Sequence, residues 1–203
     1  MRKNIRLSVL CILTALAVLS GGILSGSALA DESLFFSIDG RTWEVVLPPE
    51  YLPYTSELGQ NSPLLKISGA TQAEMDQYIS ALGCSVCCIH VHSGHQLWLS
   101  VKDHSADLGR VNPGVSLPQD IVKAYFDGTT LSRGPYTVET VGGRDYYLFA
   151  DGESTNAGGI SYRVSTFIGH YEVMLRWESG TGARTAEDID TIKAIIRSVQ
   201  QGI

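Results

Sequence analysis

Apolar positions along the chain follow two periods, and their alternation lays out the fold. Residues 33–39 (SLFFSID) and 42–48 (TWEVVLP) alternate apolar and polar, which predicts two strands joined as a hairpin at Gly40-Arg41. Residues 48–63 carry Pro48, Pro49, Pro53 and Pro63 and are predicted to be an irregular connection. Leu64–Ser68 reads as another strand. Thr71 followed by Glu74 is a capping box, and Met75, Tyr78, Ile79 and Leu82 recur at helical spacing until Gly83 stops the helix.

The second half follows the same logic. Residues 87–101 are apolar and β-branched at both ends around Ser93-Gly94, which predicts a β-hairpin. A shorter helix is predicted over Leu117–Phe126, with Pro118 in its first turn and Gly128 beyond its end. Strands 136–141 and 144–150 flank Gly142-Gly143, and strands 160–168 and 171–177 flank Gly169-His170. A final helix starts at the N-cap Thr185, with Glu187 and Asp188 in its first turn. Ile189, Ile192, Ile195, Ile196 and Val199 line one of its faces. The order is strands, helix, hairpin, helix, antiparallel meander, helix. Turns this short force antiparallel neighbours, so the expectation is an α+β sandwich in one domain over residues 31–203.

The first thirty residues read as a leader. Arg2, Lys3 and Arg6 precede the apolar run Leu7–Leu19, which is short for a membrane span, and Ala28 and Ala30 stand where a signal peptidase cleaves. Cleavage after Ala30 removes three positive charges and no negative ones, so the formal net charge moves from −6 to −9. After Ala30 no apolar run is long enough to span a membrane. The expectation is a secreted or periplasmic protein. Its acidity offers nucleic acid or anionic lipid no attraction.

The opening FFSIDGRTWEVVLPP, the helix-then-hairpin block and the closing EDIDTIKAIIRSV resemble the PsbP-like fold family over most of residues 31–203. That family includes an extrinsic photosystem II protein, a Ran-binding nuclear factor and many secreted bacterial proteins. The resemblance implies an antiparallel sheet with helices on its faces. It also implies a binding or assembly role, with a protein or cell-envelope partner, in place of catalysis. No functional residue of the family maps onto a position here.

Candidate chemistry gathers at Cys84–His95 (CSVCCIHVHSGH), which holds three of the chain's 4 cysteines and three of its 5 histidines. Those three cysteines lie within five positions, so they cannot staple distant parts of the fold. The CxxC of Cys84 and Cys87 follows a helix C-terminus, where the dipole raises a thiol pKa, against a dithiol catalyst.

Metal binding is the sharper alternative. With a two-residue turn at Ser93-Gly94, His92 faces His95, and Cys88, His90, His92 and His95 share one face of the hairpin. That set suits zinc or copper as a metal carrier or metallohydrolase, with His90, His92 and His95 as ligands and Cys88 as a fourth. A one-residue shift or a four-residue loop is expected to move His95 off that face. Otherwise Cys87, Ile89, Val91 and Trp98 form a buried face, and the histidines lie on an exposed or half-covered one.

Elsewhere, Asp103, His104 and Asp107 read as a solvent-facing polar loop. Asp151, Glu153 and Asn156 fit no calcium-loop spacing. No nucleophile elbow, P-loop or dinucleotide fingerprint occurs. Trp43, Tyr146, Tyr147, Tyr171 and Trp177 lie in strands and read as core. The function expected is non-enzymatic binding with no cofactor, and zinc or copper under the alternative.

Overall fold

The computed structural model describes residues 31–111, 115–153, 160–179 and 184–202. The leader 1–30 and Asn156 lie outside them, as do the side chains of Asp151 and Glu153. The chain runs β1 (Glu32–Ile38), β2 (Arg41–Leu47), β3 (Tyr51–Tyr54), α1 (Pro63–Ser68), α2 (Gln72–Leu82), β4 (Val86–His90) and β5 (Gln96–Asp103). It continues with α3 (Ser105–Leu108), α4 (Gln119–Arg133), β6 (Tyr136–Val141), β7 (Arg144–Glu153), β8 (Ile160–Ile168), β9 (Tyr171–Glu178), α5 (Ala186–Ser198) and β10 (Gln200–Gln201). Two antiparallel sheets result. A small one has the order β1-β2-β10 and a large one β3-β4-β5-β9-β8-β7-β6. The α+β expectation holds. Among the described residues no helix is long and apolar enough to cross a membrane.

Side-chain alternation sorts the large sheet's two faces. One face carries Cys88, Leu97, Leu99, Val173, Leu175 and Trp177. It packs against Trp43 and Val45 of the small sheet and Ile192, Ile195 and Ile196 of α5 in the main core. The other face is covered in two halves. α1 and α2 bury Leu64, Met75 and Ile79 against Tyr54, Cys87 and Trp98. α4 buries Val122 and Phe126 against Tyr147, Phe149 and Phe167. The aromatics expected to be core are all buried.

Several expectations are corrected. The first turn is Asp39-Gly40, both at positive φ (51° and 73°), one residue earlier than predicted, as a two-residue primed turn requires. The predicted irregular stretch contains β3, an edge strand that tolerates Pro53. Leu64–Ser68 is helical, not extended. Ser62 caps the Leu64 N–H, Pro63 occupies the first turn, and Gly69 ends the helix at φ 69°. α4 runs through Gly128 to Arg133, and the stop is Gly134 at φ 86°. Ile192, Ile195 and Ile196 of α5 and Val199 just past its end are buried as expected, while Ile189 is half-buried.

Candidate functional site

The β4–β5 hairpin closes with a four-residue loop. Cys88 opposes Leu97 and Ile89 opposes Gln96, and the His90 N–H donates to the His95 carbonyl at 2.8 Å. Relative to the two-residue turn expected, the register slips by two. Side chains repeat every two residues along a strand, so an even slip preserves the faces. His90, His95 and Cys88 therefore stay on one side, contrary to the expectation that a four-residue loop displaces His95. His92 is the residue displaced, into the exposed loop.

The histidines remain neighbours at the tip. The His90 ring centroid lies 5.8 Å from that of His92 and 6.2 Å from that of His95. His90 also meets Tyr51 edge-on at 5.1 Å, and His95 meets Trp177 at 4.7 Å. The Ser93 N–H donates to His90 Nδ1 at 3.2 Å, with Ser93 Oγ 2.8 Å from the same nitrogen. A nitrogen that accepts a backbone N–H carries no proton, so neutral His90 holds its proton on Nε2.

His95 Nδ1 lies 3.4 Å from Asp188 Oδ1. The other oxygen of Asp188 accepts from the Thr185 N–H and Oγ at 2.8 and 2.7 Å, closing the α5 capping box. The hairpin tip is thus joined to the start of α5. Burial lowers the pKa of both half-buried imidazoles. Neighbouring His95 and His92 lower His90 further, while Asp188 partly restores His95.

Cys88 is fully buried in the main core and Cys87 is buried on the opposite face. Both faces of the hairpin are therefore covered at this level, not one as expected. All three thiols are free. Burial raises each thiol pKa, that of Cys84 to about 12. The direction expected for Cys84 is right, but desolvation causes it. Among the described residues, no three His, Cys, Asp or Glu side chains are grouped to hold a metal ion.

A second polar cluster lies at the far end of β5 and β9. His104, expected in a solvent-facing loop, is 2% exposed. Its backbone N–H donates to the His170 carbonyl at 3.0 Å, and this pins the chain after β5 to the β8–β9 turn. Its Nε2 lies 3.3 Å from Glu172 Oε2, and its Nδ1 lies 3.5 Å from Asp107 Oδ2. Tyr125 of α4 donates to Glu172 at 3.0 Å, and Arg133 grips the same carboxylate through both terminal nitrogens. Burial alone would raise the Glu172 pKa. The bonds from His104, Arg133 and Tyr125 outweigh it and bring the pKa down to about 2.

No sequence model of a known family matches the chain, and no curated protein does. Among solved structures, the chain is similar to cyanobacterial PsbP of Synechocystis sp. PCC 6803. Identity is 11% and the TM-score 0.43, over 89% of this chain and 98% of that one. It is also similar to a protein of Bacteroides thetaiotaomicron VPI-5482, at 8% identity and TM-score 0.46. That match covers 79% of this chain and 45% of the other. The likeness to PsbP is the one the sequence pattern led us to expect, and it extends no further than the fold.

Sequence reasoning missed Glu172, Tyr125 and Arg133. The signal available was Glu172 itself, a carboxylate set between Tyr171 and Val173 in the first, apolar half of β9. On a sheet covered on both faces, such a residue needs donors from elsewhere.

Proposed function

We propose that the chain is exported and acts as a non-enzymatic binding domain, taking another protein or an envelope component as its partner. The observation that carries this reading is the free edge of the large sheet. Among the described residues β6 pairs on one side only, with β7. Val138 and Val141 are 45% and 41% exposed on it. Glu139 bonds to Lys193 of α5 at 2.5 Å and to Arg197 at 3.3 Å, which holds the edge in place. An unpaired edge offers a row of N–H and C=O groups, and an extended segment of a partner adds to it as a further strand. The other edge, β3, has four residues and carries Pro53, a poor template. Export rests on Arg2, Lys3 and Arg6 ahead of Leu7–Leu19, and on Ala28 and Ala30.

A photo-crosslinker at position 138, activated in the producing cell, tests the edge. One discrete adduct is expected, lost when Thr137→Lys and Val141→Lys block the edge in a protein whose circular dichroism is unchanged. An adduct indifferent to the lysines, or none, overturns the reading.

A second reading, a zinc or copper site at the hairpin tip, is favoured by one observation. His90, His92 and His95 adjoin, and Asp188 approaches His95 Nδ1 as a carboxylate does behind a metal-bound imidazole. His90 would have to release Ser93 to offer Nδ1, and Cys88 would have to leave the core packing. Metal content after dialysis decides. Near-stoichiometric metal in the wild type, absent from His90→Ala/His92→Ala, supports the site; sub-stoichiometric metal in both rules it out.

A further inference from the structure

On the helix-covered face of the large sheet, the two apolar clusters under α1–α2 and under α4 are separate. The strip between them, with Ser100, Met174, Arg176 and Arg163, is only half-buried. One row of side chains crosses five strands there at a single register: Trp98, Arg176, Arg163, Phe149 and Tyr136. Arg163 and Arg176 are therefore direct cross-strand partners. Like charges placed opposite each other destabilise a sheet. A sequence that keeps two of them there needs compensation.

The compensation is unequal. Arg176 bonds to the buried carboxylate of Glu178, donates through Nε to Ser161 Oγ at 3.3 Å, and lies 5.5 Å from the Trp98 ring centroid. Arg133, at the end of α4, is gripped by Glu172 and Tyr125. Arg163 has neither. Among the described residues it donates to the Arg133 backbone carbonyl at 3.4 Å, and no carboxylate forms an ion pair with it. Burial, then the guanidiniums of Arg176 and Arg133, holds its pKa below the ordinary arginine value. With Arg176–Glu178 and Arg133–Glu172 each neutral as pairs, the positive charge without a carboxylate partner among the described residues is that of Arg163.

We infer that this row is a binding site for one carboxylate group, taken between the guanidiniums of Arg163 and Arg176. A planar guanidinium matches a carboxylate through two parallel N–H donors, and one excess positive charge matches a monoanion better than a phosphate dianion. Trp98 and Phe149 flank the row on either side, each buried in its own apolar cluster, and set the limits of the polar strip. The site lies on the helix-covered face, away from the outer edge of β6, and does not depend on the edge-strand reading.

The test compares thermal unfolding of the purified protein in acetate and in chloride at equal ionic strength. A ligand that binds only the native state raises Tm as its concentration passes Kd. The wild type is expected to melt higher in acetate, saturably. Arg163→Gln is expected to lose that rise and to melt no lower than wild type in chloride, because the opposed charge is gone. Equal melting of the wild type in both salts overturns the site, and so does an acetate effect that survives in Arg163→Gln. A large loss of Tm for that variant in chloride also overturns it, since Arg163 would then be structural. Phosphate acting as strongly as acetate overturns the carboxylate assignment.

The side-chain Nε–H resonances of Arg163 and Arg176 in the wild type give a readout that needs no variant. Acetate should shift both, and shifts confined to other arginines sink the proposal. A glutamate-bearing peptide binding at least tenfold tighter than acetate would identify a protein's acidic side chain as the source. Equal affinity would identify a small carboxylate. Both support the site.

Discussion

Glu172 is 3% exposed yet ionised, held by three side chains from two other parts of the chain. Its folded pKa of about 2 lies below the ordinary 4.5. The stability it contributes is therefore complete above pH 4.5 and is lost as pH falls towards 2. At 1.36 kcal/mol per unit this is worth about 3 kcal/mol. Glu172→Gln is expected to lower urea-unfolding stability by roughly 3 kcal/mol at pH 7, by leaving Arg133 unpaired, and by much less near pH 2. An equal loss at both pH values would mean that only packing changed. His90 and His95 act in a higher window. Their folded pKa values are lowered from 6.5, so the unfolded chain takes up protons first, and stability falls as pH drops below 6.5. Replacing both with Gln should flatten the stability profile between about pH 7 and 5; an unchanged slope would assign it to other groups. The sequence located both histidine sets but misjudged the second. The partners of His104 lie 21 positions away on α4 and further off on β9, and no local pattern joins them.

Elements were legible where a cap spoke for them and misread where a neighbour outweighed it. The capping box Thr71–Glu74 and the N-cap Thr185 formed as predicted, and Asp188 completes a second box at Thr185, because both halves of each lie within one turn. α1 was misread although Ser62-Pro63 ahead and Gly69 behind are start and stop signals, since its apolar run is too short to show a helical period. The β4–β5 loop depends on Ser93 bonding His90, a side-chain choice that the turn residues do not encode. α4 outran its predicted end because Arg133, one turn past Gly128, anchors to Glu172. Gly128 therefore pays helix entropy for an anchor beyond it. It is exposed, and nothing lies within 4 Å of where a Cβ would stand. Gly128→Ala should stabilise by about 1 kcal/mol, a Tm rise of about 2–4 °C. Gly134→Ala, at φ 86°, should lower Tm instead. A Gly128→Ala protein that melts lower than wild type would mean that α4 is bent or frayed at that turn.

At the scale of the whole molecule, the order of elements was readable but the division into two sheets was not. β5 sits between the hairpin and the meander, paired with β9 over its full length. Its predicted partner was β4 alone, and the local pattern could not name a second one 68 to 82 positions on. The two ends of the described chain also converge. β10 pairs with β2 at Gln200–Glu44 and Gln201–Trp43, the Gly202 N–H donates to the Thr42 carbonyl at 2.8 Å, and Ser198 Oγ accepts from the Val46 N–H at 2.9 Å across 152 positions. Trp43 and Val45 share one core with α5, Leu175 and Trp177. A hairpin alone is marginal in water, so β1–β2 owes its stability to that core and to closure by the C-terminal strand. The hairpin and α5 should therefore open together with the large sheet. Native-state hydrogen exchange is expected to give the amides of β2 and α5 the same opening free energy as those of β5 and β9. Closing contacts this distant in sequence should also make refolding slow, because the loop entropy is spent before the core rewards it. Exchange in β1–β2 several kcal/mol easier than in β9 would make the hairpin a separable flap, with the large sheet and α5 standing as the folding unit.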